Sequence, residues 1–256
     1  MTIDLNSDVG ESFGAYRLGA DADVMRSITS ANIACGYHAG DPGVMRETVR
    51  LARDAGVAVG AHPGFPDLAG FGRRELRASP REIEDMVLYQ TGALSAIARA
   101  ENVTVTHVKP HGALYNMAAR DRTLADAIAR AVKSFDASLV LFGLPGSELL
   151  RAGAASGLRV ASEGFADRAY SPDGSLAPRG VAGSVIHDAD EVVRRAVRMV
   201  SEGRVTATDG SELTFRVDTL CVHGDTPGAG ELTARLRAGL ERHGVAVRSL
   251  VRSLHA

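Results

Sequence analysis

The chain of 256 residues has no tryptophan, only two cysteines and, among its 29 basic residues, only two lysines. Each scarcity removes a class of explanation. Two cysteines without zinc-finger spacing exclude a disulfide framework and a cysteine-rich metal module. Cys35 and Cys221 are expected to be buried, reduced thiols. A formal net charge of -2 provides no basic footprint for nucleic acid, and no polybasic stretch is present for an anionic membrane surface. No apolar run approaches the roughly 18 residues of a transmembrane candidate. The first residues, Met1-Thr2-Ile3-Asp4, enter a strand pattern with neither a basic n-region nor an apolar h-region, so a cytoplasmic location is expected. No complete Walker A and no Gly-x-Ser-x-Gly elbow occur.

What the chain does have is a repeated layout. Five β-branched or apolar runs each end in Asp, Glu, His or Lys beside glycine. They close on Asp8-Val9-Gly10-Glu11, Gly36-Tyr37-His38-Ala39-Gly40-Asp41, Gly60-Ala61-His62-Pro63-Gly64, Lys109-Pro110-His111-Gly112 and His223-Gly224-Asp225. Such runs read as buried parallel strands with polar groups at their C-terminal ends. In a closed α/β barrel that rim gathers functional residues from different strands.

The alternation continues along the chain. Strands are predicted at 3–6, 31–35, 57–61, 103–108, 138–142, 158–161 and 217–222, with residues 245–251 closing the chain. Helices are predicted at 20–28, 42–54, 80–100, 122–133, 147–155, 189–201 and 230–243. Asp41 is a good N-cap, Gly56 a stop, and Ser79-Pro80-Arg81-Glu82 a capping box with proline at N1. Seven βα units without a linker predict one domain over residues 1–256. Because at least five strand ends look functional, a distorted seven-stranded (β/α) TIM-like barrel is preferred to an open sheet with a single switch point.

Asp8 and Glu11 are suited to bind a metal, orient a nucleophile or act as a base, though a solvated turn would use the same residues. Asp41 reads first as a cap. Asp8, His38 and His62 form a candidate facial metal set, without any HxxxH or HExxH pattern to support it. Lys109-Pro110-His111 is the most chemical segment. Proline stiffens the turn, lysine neutralises developing negative charge, and histidine moves a proton. His107 shares a strand face with Lys109 if the strand continues. Lys109 is expected at the rim, with little packing, so its loss would damage turnover more than folding. The loop Gly70-Phe71-Gly72-Arg73-Arg74 offers backbone amides and arginines to an anion. Asp8, His38, His62, Lys109 and His111 are the candidate catalytic groups. Glu11, Arg73, Arg74, Asn116, Arg168, Tyr170, His223 and Asp225 are the candidate substrate contacts. The bound metal, if any, is left open.

As a set these segments resemble the LamB/YcsF family. The matching stretches are 4–11, 32–41, 60–63 with 70–74, 108–116, Glu163-Gly164-Phe165-Ala166-Asp167-Arg168-Ala169-Tyr170, and 221–225, in order across nearly the whole chain. The resemblance implies a barrel of the glycoside hydrolase/deacetylase type. It implies the A subunit of a bacterial ATP-dependent 5-oxoprolinase, converting 5-oxo-L-proline to L-glutamate with ATP cleaved to ADP and phosphate. It also implies two partners, the B and C subunits. Two other readings remain at this point: a stand-alone metal-dependent deacetylase or amidohydrolase, and a non-catalytic small-molecule-binding subunit.

Overall fold

The structure, a computed structural model, describes residues 1–222 and 228–251. In chain order the elements are β1 (Thr2–Val9), α1 (Asp21–Met25), β2 (Ser30–Ala34), α2 (Pro42–Ala55), β3 (Ala58–His62), α3 (Pro80–Ala100), β4 (Val105–Val108), α4 (Gly112–Ala118), α5 (Arg122–Phe135), β5 (Val140–Gly143), α6 (Glu148–Ala155), β6 (Arg159–Phe165), α7 (Ala189–Glu202), β7 (Arg204–Thr206), β8 (Glu212–Thr214), β9 (Thr219–Cys221), α8 (Ala229–Arg242) and β10 (Ala246–Val247). Strands β1 to β6 pair in sequence order, all parallel. Strand β9 pairs with β6 on one side and β1 on the other, which closes the barrel. The expected seven-stranded (β/α) barrel is therefore present. Short β10 extends the N-terminal end of β1, and β7–β8 is an antiparallel hairpin outside the barrel. Among the described residues, no helix is long and apolar enough to cross a membrane.

Local signals set the helix boundaries. Asp41 accepts from the Gly43 and Val44 amides, and Gly56 ends α2 in the left-handed region at φ 67°. Ser79 and Glu82 make a complete capping box at α3. Three differences from the sequence expectation matter. Strand β1 runs on to Val9, so Asp8 lies within it. Strand β6 runs on to Phe165, so Glu163 is a strand residue rather than a loop residue. Helix α4 follows Lys109-Pro110-His111 directly, burying Ala113, Leu114, Tyr115 and Ala118. It spans too few turns to announce itself by helical periodicity.

The outer faces of the strands are apolar and pack against helices, with Ile3, Leu5, Ile33, Val59 and Leu141 essentially inaccessible. Part of the interior is polar and internally satisfied. In β1, Asp4, Asn6 and Asp8 alternate with Leu5 and Ser7. Asp4 accepts from Ser30 and Thr219. Asn6 donates to Thr219, and Asn32 donates to both Asn6 and Asp8. His107 pairs with Asn32 Oδ1 at 2.9 Å and stacks on Phe142. A closed network of this kind is tolerated because each group finds a partner in place of water.

Gly60 leaves the space that His107 fills, since a Cβ there would sit 2.1 Å from His107 Nε2. Gly60→Ala is expected to lose about 1–3 kcal/mol through overpacking, read from urea midpoints. Burial, with Lys109 nearby, also lowers the His107 pKa to about 3. The unfolded chain then takes up this proton first, so the contribution is intact above about pH 6.5 and is lost as pH falls toward 3. Wild type should lose more stability between about pH 6.5 and 5 than His107→Gln. Equal slopes would show that His107 does not titrate on unfolding.

Candidate functional site

The C-terminal ends of the strands enclose a cavity of about 280 Å³. Asp8 from β1, Glu11 just beyond it, His62 at the end of β3, and Lys109 and His111 after β4 line its wall. Asn116 and Tyr115 reach it from α4, and Phe165 from the end of β6. Arg73, Arg168 and Arg179 come from the long loops.

Lys109 is 2% exposed, so it is a core residue rather than the rim residue expected from the sequence. Its ammonium lies 2.8 Å from Asp8 Oδ1 and 2.8 Å from Glu163 Oε1, and donates to Cys221 Sγ at 3.1 Å. Burial opposes the charge, but Asp8, Cys221 and Glu163 outweigh it and hold the Lys109 pKa well above the usual lysine range. Tyr115 donates to the other oxygen of Glu163 at 2.8 Å. Burial, then Glu163, pushes the tyrosine hydroxyl far up, so it remains a donor.

Beside this charge cluster lies a nest of imidazoles. His62 Nδ1 meets the Lys109 carbonyl at 2.7 Å, and His111 Nε2 meets the Phe71 carbonyl at 2.8 Å. His62 Nε2 and His111 Nδ1 approach to 2.9 Å. His38 stacks on His111 with centroids 3.7 Å apart and places Nε2 3.3 Å from Glu11 Oε1. Burial lowers the pKa of both His38 and His111, with His62 adding to each, so both favour the neutral form. One donor atom from each of Glu11, His38, His62 and His111 lies within 4.8 Å of the others, a group able to hold a metal ion. This is not the Asp8, His38, His62 trio read from the sequence. Asp8 sits 3.3 Å from His62 Nε2, but its other oxygen is committed to Lys109 and Asn32.

Asp8, Glu11, His62, Arg73, Lys109, His111, Asn116 and Arg168 from the sequence reading thus share one cavity, with His38 buried directly behind. Arg74 turns to Asp67 in an ion pair that shapes the loop. Tyr170 is fully buried, and its hydroxyl accepts from the Phe165 amide at 2.8 Å, bracing the end of β6. Neither lines the cavity. His223 and Asp225 lie outside the described residues. Arg179 is absent from the sequence candidates, because one arginine in a long loop carries no local signal. Glu163 reads from the sequence as polar but not as a partner of Lys109. The signal for it is its spacing from Ala161 and Phe165 in a strand-like run, which would bury a carboxylate and demand a cation. The Arg168 pKa is lowered to about 10, by burial first and then by Arg179. Two cations facing one cavity create demand for an anion.

A profile of the LamB/YcsF family matches residues 3–255. The chain is 58% identical over 245 residues to the A subunit of 5-oxoprolinase from Symbiobacterium thermophilum, covering 96% of this chain and 94% of that protein. It is 54% identical to the lactam utilization protein of Thermus thermophilus, with a TM-score of 0.92 over 98% of this chain and 100% of that one. The catalytic domain of a peptidoglycan N-acetylglucosamine deacetylase from Eubacterium rectale shares the fold alone, at 11% identity and a TM-score of 0.50 over 100% of this chain and 90% of that one.

Removing Lys109 would leave two buried carboxylates facing each other. Lys109→Ala is therefore expected to cost about 3–5 kcal/mol of stability, contrary to the expectation for a rim lysine. Adding Glu163→Gln should recover part of that loss. A melting temperature unchanged in Lys109→Ala would show that the cluster is not a stabilising unit.

Proposed function

Because the chain belongs to the LamB/YcsF family, we propose that it is the A subunit of an ATP-dependent 5-oxoprolinase. It acts with the B and C subunits to convert 5-oxo-L-proline, ATP and water to L-glutamate, ADP and phosphate. The observation that carries this reading is one cavity combining a buried lysine–carboxylate cluster with three arginines, in a chain 58% identical to a protein of that name.

The chemistry fits the groups. A five-membered lactam is a stable amide with a poor leaving group. Phosphorylating its carbonyl oxygen with ATP releases ADP and opens the ring carbon to water; the carbon–nitrogen bond of the adduct then breaks as the nitrogen takes a proton, and a second water releases phosphate from the acyl phosphate left behind. In this reading Arg168, Arg73 and Arg179 hold the substrate carboxylate or the phosphoryl oxygens, and Asn116 completes the contact. Glu11 belongs to the same binding surface, while Arg74 and Tyr170 serve by bracing it.

Lys109 acts differently from a simple oxyanion donor. Its ammonium donates to Asp8, Asn6 and Cys221 and forms an ion pair with Glu163, so no proton is left for a ligand. It therefore works through its charge and by fixing the Asp8 carboxylate. Asp8 is the group that moves a proton, with His62 and His111 beside it in the cavity wall.

The isolated chain is expected to hydrolyse 5-oxoproline negligibly, and the B and C subunits should restore ATP-dependent glutamate formation. Glutamate release, measured with each component omitted in turn, checks this. Rapid lactam hydrolysis by the chain alone, indifferent to ATP, would instead identify an autonomous amidohydrolase.

A further inference from the structure

The hydrogen bonds of two cavity histidines fix where their protons lie. A carbonyl oxygen only accepts, so His62 carries its proton on Nδ1, donated to Lys109, and His111 carries its proton on Nε2, donated to Phe71. A neutral imidazole has one such proton. With one proton on each ring, the remaining nitrogens, His62 Nε2 and His111 Nδ1, are lone pairs 2.9 Å apart, with Asp8 Oδ2 3.3 Å from the first. Two lone pairs at that distance repel unless a cation lies between them. The rings stand at 87°, so the planes holding the two lone pairs intersect and one ion can lie in both. Nitrogens bound at about 2.05 Å and subtending near a right angle would sit roughly 2.9 Å apart. Glu11 Oε1 lies 3.6 Å from His111 Nδ1 and adds a carboxylate.

His38 has a different place. Its ring is parallel to that of His111, at 2° and 3.7 Å between centroids. An ion in the plane of His111 is therefore out of the plane of His38. Its Nδ1 meets no hydrogen-bond partner among the described residues, whereas its Nε2 faces Glu11 at 3.3 Å. The ring proton thus belongs on Nε2, donated to the carboxylate.

We propose that His62 Nε2, His111 Nδ1 and Glu11 Oε1 bind a divalent first-row transition-metal ion in the cavity wall, with His38 orienting Glu11. Imidazole donors select such ions over magnesium or calcium. The Lys109 and Phe71 carbonyls and His38 supply the outer hydrogen bonds that fix tautomer and orientation around bound metals. All three ligands line the cavity, so the ion faces whatever binds there. The assignment stands independently of the oxoprolinase reading.

The test uses the full chain, purified without chelator and analysed for metal, then stripped and titrated with Co²⁺ and Zn²⁺. Visible absorption of bound Co²⁺ and calorimetry with Zn²⁺ are the readouts. One ion per chain is expected, with His62→Ala and His111→Ala each weakening binding more than about 100-fold and His38→Ala about 10–100-fold. Circular dichroism of the stripped variants reports folding. If an alanine variant does not fold, His111→Asn and Glu11→Gln carry the comparison. Wild type that takes up neither ion would overturn the site and leave a shared proton between the two nitrogens. Equal binding by wild type and the His62 and His111 variants would also overturn it. Loss in His38→Ala as complete as in His62→Ala would overturn the supporting role of His38.

Discussion

Taking one ammonium and two carboxylates out of water is costly, and the cost is offset only if the three stay together with good geometry. Lys109, Asp8 and Glu163 meet that condition from three different strand regions, β4, β1 and β6. The cluster constrains everything around it. Asp8 must point inward, which sets the facing of Asn6 and Asp4 on the same strand. Asn32 must turn to meet Asn6 and Asp8, and His107 must then meet Asn32. A barrel with an apolar interior could slide its register by small hydrophobic exchanges. This one cannot, because each two-residue slip would leave a charge or an amide without a partner.

The backbone of Lys109 extends the same logic to the neighbouring histidines. Its side chain anchors the charge cluster while its carbonyl fixes the proton of His62. One residue thus joins the electrostatics of the barrel interior to the orientation of the imidazole group. The pKa directions agree: the lysine is held charged while buried His38 and His111 are held neutral. Two protonation regimes lie side by side, separated by single side chains and set by local partners.

Much of this is legible in the sequence because the signals are local. Asp41, Gly56 and the Ser79 capping box mark helix ends through hydrogen bonds spanning only a few residues. The polar ends of β1, β3 and β4 stand out against apolar runs, and closure of the barrel brings them together. What escapes depends on pairing across long separations. Glu163 looks like a loop residue because the extent of β6 is set by its pairing with β9 rather than by its own composition. The burial of Lys109 is invisible in the sequence because its partners Asp8 and Glu163 come from distant strands. The exchange of Asp8 for Glu11 and His111 around the imidazoles has the same origin: the lysine claims Asp8, and no spacing rule records that claim. Arg74 misleads for the opposite reason, since its partner Asp67 is near in sequence and pulls it out of the cavity.

The seam that closes the barrel has a consequence for how the chain is made. Asn6 bonds to Thr219 across 213 residues, and Ser7 to the Val222 carbonyl across 215. A nascent chain on the ribosome can pair β1 through β6 as they emerge, since each meets its predecessor. It cannot satisfy Asp4, Asn6 and Ser7 on their open side until β9 has left the exit tunnel. Until then the growing protein exposes an unpaired, polar-lined strand edge, the kind of surface that invites wrong partners. Strand β9, the last of the seven barrel strands to be made, is therefore the one that turns a curved, incomplete sheet into a sealed vessel, and the time spent waiting for it is the period when wrong pairing has its opening.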